Sequence, residues 1–140
     1  MDALVALFLE SAGSELFRKE LVALIDSKNC PVWIMSSSPS CIVEPIAKKL
    51  GVDLVTASYY ALDASGCYCH VERVVDGHQK EQELTAYLQQ TGLTPASVTA
   101  YSDSILDLAL LHAVGRAVAV CPDRRLKRIA QKRSWQVLEV

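Results

Sequence analysis

Short apolar runs alternate with segments of helical periodicity over most of the chain. The apolar runs have the length of buried strands, and the helical segments carry their apolar residues three and four positions apart. This pattern predicts strands at 31–36, 53–62, 67–75, 97–101, 116–121 and 135–140. It predicts helices at 14–27, 40–50, 78–91, 104–113 and 123–133, although Pro45 should kink its helix or delay its start.

This order of elements predicts a fold class. Strands that alternate with helices pair in parallel through right-handed crossovers, and strands that are almost wholly apolar are typical of a sheet covered on both faces. The turn residues Asp63-Ala-Ser-Gly66 between two runs predict a small β-hairpin. We therefore expect an α/β fold of three layers, a Rossmann-like parallel sheet with helices on both faces, in a single domain over 1–140.

Composition and charge narrow the classes of function. The formal net charge is −2, which does not favour nucleic acid as a partner, and we read the basic helix at 123–133 as a solvated face. No apolar run approaches the ~20 residues of a membrane span, so we expect no membrane partner. The five cysteines follow no disulfide framework, which favours a reduced, cytoplasmic protein. A homodimer is one assembly that the sequence allows.

Polar residues follow the predicted strands where a parallel sheet binds its ligands. Ser36 and Ser37 end one strand, and their hydroxyls suit a phosphate oxygen. Alternatively, this serine-rich stretch is a plain helix cap, with Ser38 or Ser40 as the N-cap residue. Asp103 and Asp107 lie four residues apart after another strand, and they suit Mg²⁺ or cap and flank the next helix. Lys80 lies in the first turn of a helix, where its positive charge is unfavourable to the helix macrodipole. Either a bound phosphate explains this position, or nearby glutamates simply offset the charge of the lysine.

Several segments carry a resemblance to a known family. The stretch 32–51 resembles the second motif region of phosphoserine-phosphatase-like members of the haloacid dehalogenase superfamily. Tyr101-Ser-Asp-Ser-Ile-Leu-Asp107 resembles their fourth motif, and Gly77-His-Gln-Lys80 their third. The stretch 120–130 and Trp135 resemble the closing segment. The resemblance runs from about residue 14 to the C-terminus, and it implies the haloacid-dehalogenase-like version of the expected fold, with no cap domain or only a remnant of one.

The resemblance also implies roles for individual residues. Ser36, Lys80 and Asp107 would be the catalytic residues that the chain retains. Ser36, Ser37 and Lys80 would bind the phosphate of a phosphorylated small molecule, and Asp107 would orient Lys80 or a metal-bound water. Asp103 would bind Mg²⁺, the cofactor that the resemblance implies. In phosphoryl transfer, such positioning and charge neutralisation dominate catalysis.

The aspartate pair with which this family attacks phosphorus, Asp-x-Asp-x-Thr after the first strand, is missing. Two accounts of residues 1–13 are open. In one, 3–9 is a degenerate first strand, and Glu10 and Ala12 occupy the positions of the nucleophile and the general acid–base. In the other, 2–11 is a helix left over from the cap. We lean towards the strand, because a parallel sheet tolerates a missing centre badly.

These observations leave several functions open. The leading hypothesis is a phosphomonoester hydrolase domain that retains its phosphate and Mg²⁺ pocket but, without its nucleophile, is inactive as given. The alternatives are a non-catalytic protein that binds a phosphorylated ligand or a protein partner, and a fragment of a longer, active phosphatase. Whether the chain is an enzyme stays undecided at this point, and its substrate is not indicated.

Overall fold

The computed structural model describes residues 2–11, 17–27 and 29–140. The chain divides into two compact units, one ending at Val75 and the other beginning at Asp76. The elements of the first unit are α1 (Asp2–Ser11), α2 (Lys19–Asp26), β1 (Trp33–Pro39), α3 (Ser40–Lys49), β2 (Leu54–Leu62) and β3 (Tyr68–Arg73). Those of the second are α4 (Gly77–Thr91), β4 (Thr99–Ser102), α5 (Leu108–His112), β5 (Arg116–Val120), α6 (Arg124–Lys132) and β6 (Gln136–Leu138), with short 3₁₀ helices at Pro95–Ser97 and Ile105–Asp107.

The first unit is built on a three-stranded sheet in the order β1-β2-β3. β1 and β2 are parallel and are joined by α3, which buries Val43 and Ala47, while β3 returns antiparallel to β2 as the expected hairpin. Of the two effects expected of Pro45, the delayed start does not occur: α3 begins at Ser40 and continues through the proline to Lys49. The hairpin and the helical crossover therefore lie where the apolar pattern placed them.

A buried serine in the middle of β2 links this strand to β1 and to the segment after β3. Ser58 is 1% exposed, and its hydroxyl donates to the carbonyl oxygen of Ser37 at 2.8 Å. The same oxygen accepts from the backbone N–H of Val75 at 2.9 Å. One side chain thus joins β1, β2 and the segment that follows β3. This contact holds the backbone at Ser37, in the second half of β1, in place.

The structure of the N-terminal segment corrects the favoured prediction of a first strand at 3–9. Residues 3–9 are not a strand but part of α1, which packs against α3. Its sequence is dominated by alanine and leucine, which favour a helix, and continuity of apolar residues cannot separate helix from strand over so short a run. The helix buries Leu9, and the Lys49 ammonium donates to the carbonyl oxygen of Leu9 at 2.6 Å, close to the helix C-terminus. Cations are favourable at that end of a helix.

The second unit contains a parallel sheet in the order β4-β5-β6. α5 connects β4 to β5, and α6 connects β5 to β6. Its core consists of small and branched apolar side chains that β5 and the neighbouring helices bury, namely Leu111, Ala117, Ala119, Leu126 and Ala130. β4 is an edge strand of this sheet, as β1 is of the other.

The α/β class, with parallel sheets and helices on both sides, is confirmed. The strands form two three-stranded sheets, one in each unit, and the residues expected to form a first strand are helical. Within the described ranges, no helix combines the length and the apolar character needed to cross a membrane.

Candidate active site

The start of α4 places Lys80 at the site. The carboxylate of Asp76 caps the helix by accepting from the backbone N–H of Gln79 at 2.9 Å. Gly77 packs so closely against the 3₁₀ helix at Ile105–Asp107 that a Cβ on Gly77 would lie 1.9 Å from the carbonyl oxygen of Leu106. Only glycine permits this approach, and it brings the first turn of α4 against the segment that carries Asp107.

Lys80 and Asp107 form a buried ion pair. The Lys80 ammonium lies 2.7 Å from Oδ1 of Asp107, and the two side chains are 6% and 17% exposed. The second carboxylate oxygen of Asp107 accepts from the hydroxyl of Ser102 at 2.8 Å, and the Ser102 hydroxyl in turn accepts from the N–H of Ser104 at 3.1 Å. This pairing explains why a lysine is tolerated at a helix N-terminus, a position that opposes the macrodipole.

Asp103 follows β4 directly, and its side chain is exposed. Within the described part of the chain, no side chain or backbone N–H donates to its carboxylate, whereas both oxygens of Asp107 are engaged. No group of three or more metal-ligating side chains occurs among the described residues. Asp103 is thus suited to be one oxygen ligand of Mg²⁺, but the described residues do not by themselves form a Mg²⁺ site.

Sequence reasoning missed the role of Asp123, which it treated only as the start of a helix. One carboxylate oxygen caps α6, and the other accepts from the backbone N–H of Ile105 at 2.6 Å. The hydrogen bond from Ile105, followed by that from Leu126, lowers the pKa of Asp123 below its ordinary value. A capping aspartate could be recognised from the sequence, but its second bond joins residues 18 positions apart.

Ser36 and Ser37 belong to the first unit and lie within β1, which extends beyond its predicted end at Ser36 to Pro39. The Ser36 hydroxyl accepts from the backbone N–H of Ser38 at 3.1 Å, while the side chain of Ser37 is exposed. The N-cap of α3 is Pro39 and no side chain caps the helix, so the alternative in which Ser38 or Ser40 is the N-cap is wrong. In the second unit, the structure brings Lys80 together with Asp107, which follows Asp103 in the loop after β4. Convergence of the serines on the same pocket stays a prediction.

The proposed nucleophile position needs correction. Glu10 lies in the last turn of α1 with an exposed side chain, not in a turn after a strand. Its proposed role depended on a strand over 3–9, and the helix removes that premise. Ala12 lies outside the described residues.

Comparison with known proteins shows the family to which the chain belongs. The model of the haloacid dehalogenase-like hydrolase family matches residues 1–112. The match covers most of the chain, which therefore belongs to this family. The match includes the segment that carries Lys80, Asp103 and Asp107.

Individual curated proteins are also similar to this chain. The chain is 38% identical over 109 residues to the "inhibition of morphological differentiation protein" of Streptomyces azureus, a match that covers 77% of this chain and 39% of that protein. It is 32% identical over 108 residues to a phosphoserine phosphatase of Mycobacterium tuberculosis, which covers 76% of this chain and 35% of the relative. The chain therefore spans about two fifths or less of the length of these curated relatives.

Solved structures support the fold. A protein of unknown function from Bordetella pertussis matches with a TM-score of 0.78 and 26% identity, over 98% of this chain and 65% of that one. A probable phosphoserine phosphatase from Vibrio cholerae matches with a TM-score of 0.72 and 22% identity, over 85% of this chain and 36% of that one. At 22% identity the second match shows a shared fold.

Proposed function

We propose that this chain is the phosphate-recognising part of a phosphomonoester hydrolase core of the phosphoserine-phosphatase type. The observation that carries the proposal is the largely buried Lys80–Asp107 pair, whose aspartate lies in the same loop after β4 as the exposed Asp103. A phosphatase needs a fixed positive charge where phosphate negative charge accumulates, and a side chain that holds that charge in place. The family membership and the phosphoserine phosphatase among the relatives support the same class of substrate.

Each residue of the proposed site has a chemical task. Lys80 neutralises the phosphate, and Asp107 keeps the ammonium oriented, with Ser102 holding its second oxygen. Ser36 and Ser37 hydrogen-bond the phosphoryl oxygens. Asp103 supplies one oxygen ligand to a Mg²⁺ ion, which would offset phosphate charge when bound.

We further propose that the chain as given does not turn over phosphate esters. The Asp-x-Asp-x-Thr motif is missing from the sequence, and its closest substitute, Glu10, lies on a helix. Without an attacking carboxylate the covalent intermediate does not form, and loss of the general acid–base alone costs about 10²–10⁴-fold in rate. Phosphate binding that is equal in ground and transition states does not accelerate the reaction.

The test measures hydrolysis of p-nitrophenyl phosphate in the presence of Mg²⁺. We expect the wild-type rate to equal that of an Asp103→Ala control. We also expect no gain from the Glu10→Asp, Ala12→Asp double variant, because residue 10 lies on α1. Wild-type turnover that Asp103→Ala abolishes would show that a nucleophile is present after all.

A binding experiment distinguishes a chain that has kept its phosphate pocket from one that has lost the whole function. Titration of inorganic phosphate, followed by the ¹⁵N resonance of the Lys80 ammonium, should give a saturable shift in the wild type. Asp107→Asn should weaken it, because the ammonium loses the charge that orients it. No response at Lys80 up to high millimolar phosphate would contradict the proposed phosphate site. Saturable binding without hydrolysis would match a phosphorylated small molecule as ligand of a non-catalytic protein.

The compartment and assembly complete the proposal. Five free cysteines, three of them exposed, favour a reducing compartment such as the cytoplasm. A homodimer stays a prediction, which the molecular mass in solution tests directly.

A further inference from the structure

Asp123 makes more hydrogen bonds than a helix cap requires. It lies between β5 and α6, and its Oδ1 accepts from the backbone N–H groups of Arg125 at 2.8 Å and Leu126 at 2.9 Å. These two bonds complete the N-cap of α6. A serine or an asparagine provides such a cap about as well as an aspartate, so the cap alone does not require a carboxylate.

The second side of Asp123 faces the loop of the candidate site. Its Oδ2 accepts from the backbone N–H of Ile105 at 2.6 Å, and its own backbone N–H donates to the carbonyl oxygen of Asp103 at 2.8 Å. The loop between Asp103 and Asp107 is therefore held at two points by one residue. Bonds in which the acceptor is ionised are shorter and about twice as strong as neutral ones, in keeping with the short distance to Ile105.

We propose that Asp123 is a positioning residue for the candidate site. Its carboxylate and backbone N–H fix the loop 103–107 to the start of α6. The loop then presents the Asp103 carboxylate at the end of β4 and holds Asp107 against Lys80. The relevance of Asp123 to phosphate chemistry rests on the proposed function. Whether Asp123 holds the loop can be measured even if the proposed function is wrong.

Two substitutions separate the cap from the loop contact. Asp123→Asn retains an oxygen for the α6 N–H groups but replaces the oxygen facing Ile105 with an amide nitrogen, which cannot accept. Asp123→Ala removes both functions. Because the asparagine variant keeps the cap, it should fold even if the alanine variant does not.

Amide hydrogen exchange tests whether the loop is held. In Asp123→Asn we expect exchange of the Ile105 N–H to rise about tenfold or more, as loss of a hydrogen bond to a charged group implies, while α6 amides change by less than about twofold. The idea is overturned if Ile105 exchange stays within about twofold of wild type. It is equally overturned if α6 loosens as much as the loop, because Asp123 would then be only a helix cap.

A paramagnetic probe tests whether the loop contact positions Asp103. Mn²⁺ prefers the same oxygen ligands as Mg²⁺ and broadens nearby resonances. We expect broadening centred on Asp103 in the wild type, several-fold weaker broadening in Asp123→Asn at the same Mn²⁺ concentration, and none in Asp103→Asn. Equal broadening in wild type and Asp123→Asn, with faster Ile105 exchange, would refute the positioning role. Absence of broadening in the wild type would refute metal binding at Asp103, and with it the idea that Asp123 positions a metal ligand. The exchange experiment would still decide whether Asp123 holds the loop.

Discussion

The two members of the Lys80–Asp107 ion pair should be strongly coupled, so that removing one partner destabilises the fold. Its atoms lie 2.7 Å apart, and the side chains are 6% and 17% exposed. The perturbation is Asp107→Asn, which keeps the size of the side chain and removes its charge. The Lys80 ammonium then lies in a buried position without its counter-charge, and removing one partner of a buried pair costs about 3–5 kcal/mol.

The reverse substitution should cost less. Lys80→Met removes the ammonium, but the Asp107 carboxylate stays more exposed and still accepts from Ser102. The loss of one hydrogen bond to a charged group corresponds to about 1.5–3 kcal/mol. In the double variant no buried charge is left unpaired, so the combined loss should fall short of the sum by about 2 kcal/mol or more, as expected for residues in direct contact.

The assay is urea unfolding of the four proteins of this cycle. The matched control is the exposed pair Lys127–Glu139, which has a similar separation of 2.6 Å but side chains that are 48% and 58% exposed. The cycle Lys127→Met, Glu139→Gln should give a coupling below about 1 kcal/mol, since water and salt screen such pairs. Additive losses at Lys80 and Asp107, or equal couplings in both cycles, would refute the view that burial makes the difference.

Three further predictions concern single residues that stabilise one of the two units. Gly77→Ala should lower the free energy of unfolding by several kcal/mol, because its Cβ would meet the Leu106 carbonyl; urea unfolding measures this, and a loss below about 1 kcal/mol would contradict the close approach. Ser58→Ala should cost about 1–3 kcal/mol in the same assay, since it leaves the buried N–H of Val75 without its acceptor, and a neutral effect would contradict the bond. Hydrogen bonds from Ser65 and Cys67 hold the pKa of Asp63 below its ordinary value, so the hairpin turn should be stabilised above pH 3.8 and lose this support as the pH falls through the lower, folded pKa. A carboxyl resonance of Asp63 that titrates at or above 3.8 would be inconsistent with that turn.

Much of the fold and part of the site could be predicted because their signals are local. Apolar periodicity placed the hairpin, the crossover helix α3 and the strands before and after α6 within a few residues of their observed bounds. Lys80, Asp103 and Asp107 could be nominated because they stand at strand ends and helix starts, where a parallel sheet binds ligands. The N-terminal helix over 2–11 was only the less favoured of two accounts, because a short apolar run fits a helix as well as a strand.

The contacts that make these residues a site depend on tertiary packing. The Lys80–Asp107 pair joins residues 27 positions apart, and the Ile105–Asp123 bond joins residues 18 positions apart. Their chemistry can be read from the sequence, but their pairing cannot, because neither periodicity nor capping preference reports on groups so distant along the chain. By itself the sequence determined which segments form helices and strands, with the exception of α1, and which polar side chains end them. Only the tertiary structure decided which of those side chains meet. The absence of a side chain at Gly77 allows α4 to pack closely against the loop after β4, and this packing brings Lys80 and Asp107 within hydrogen-bonding distance.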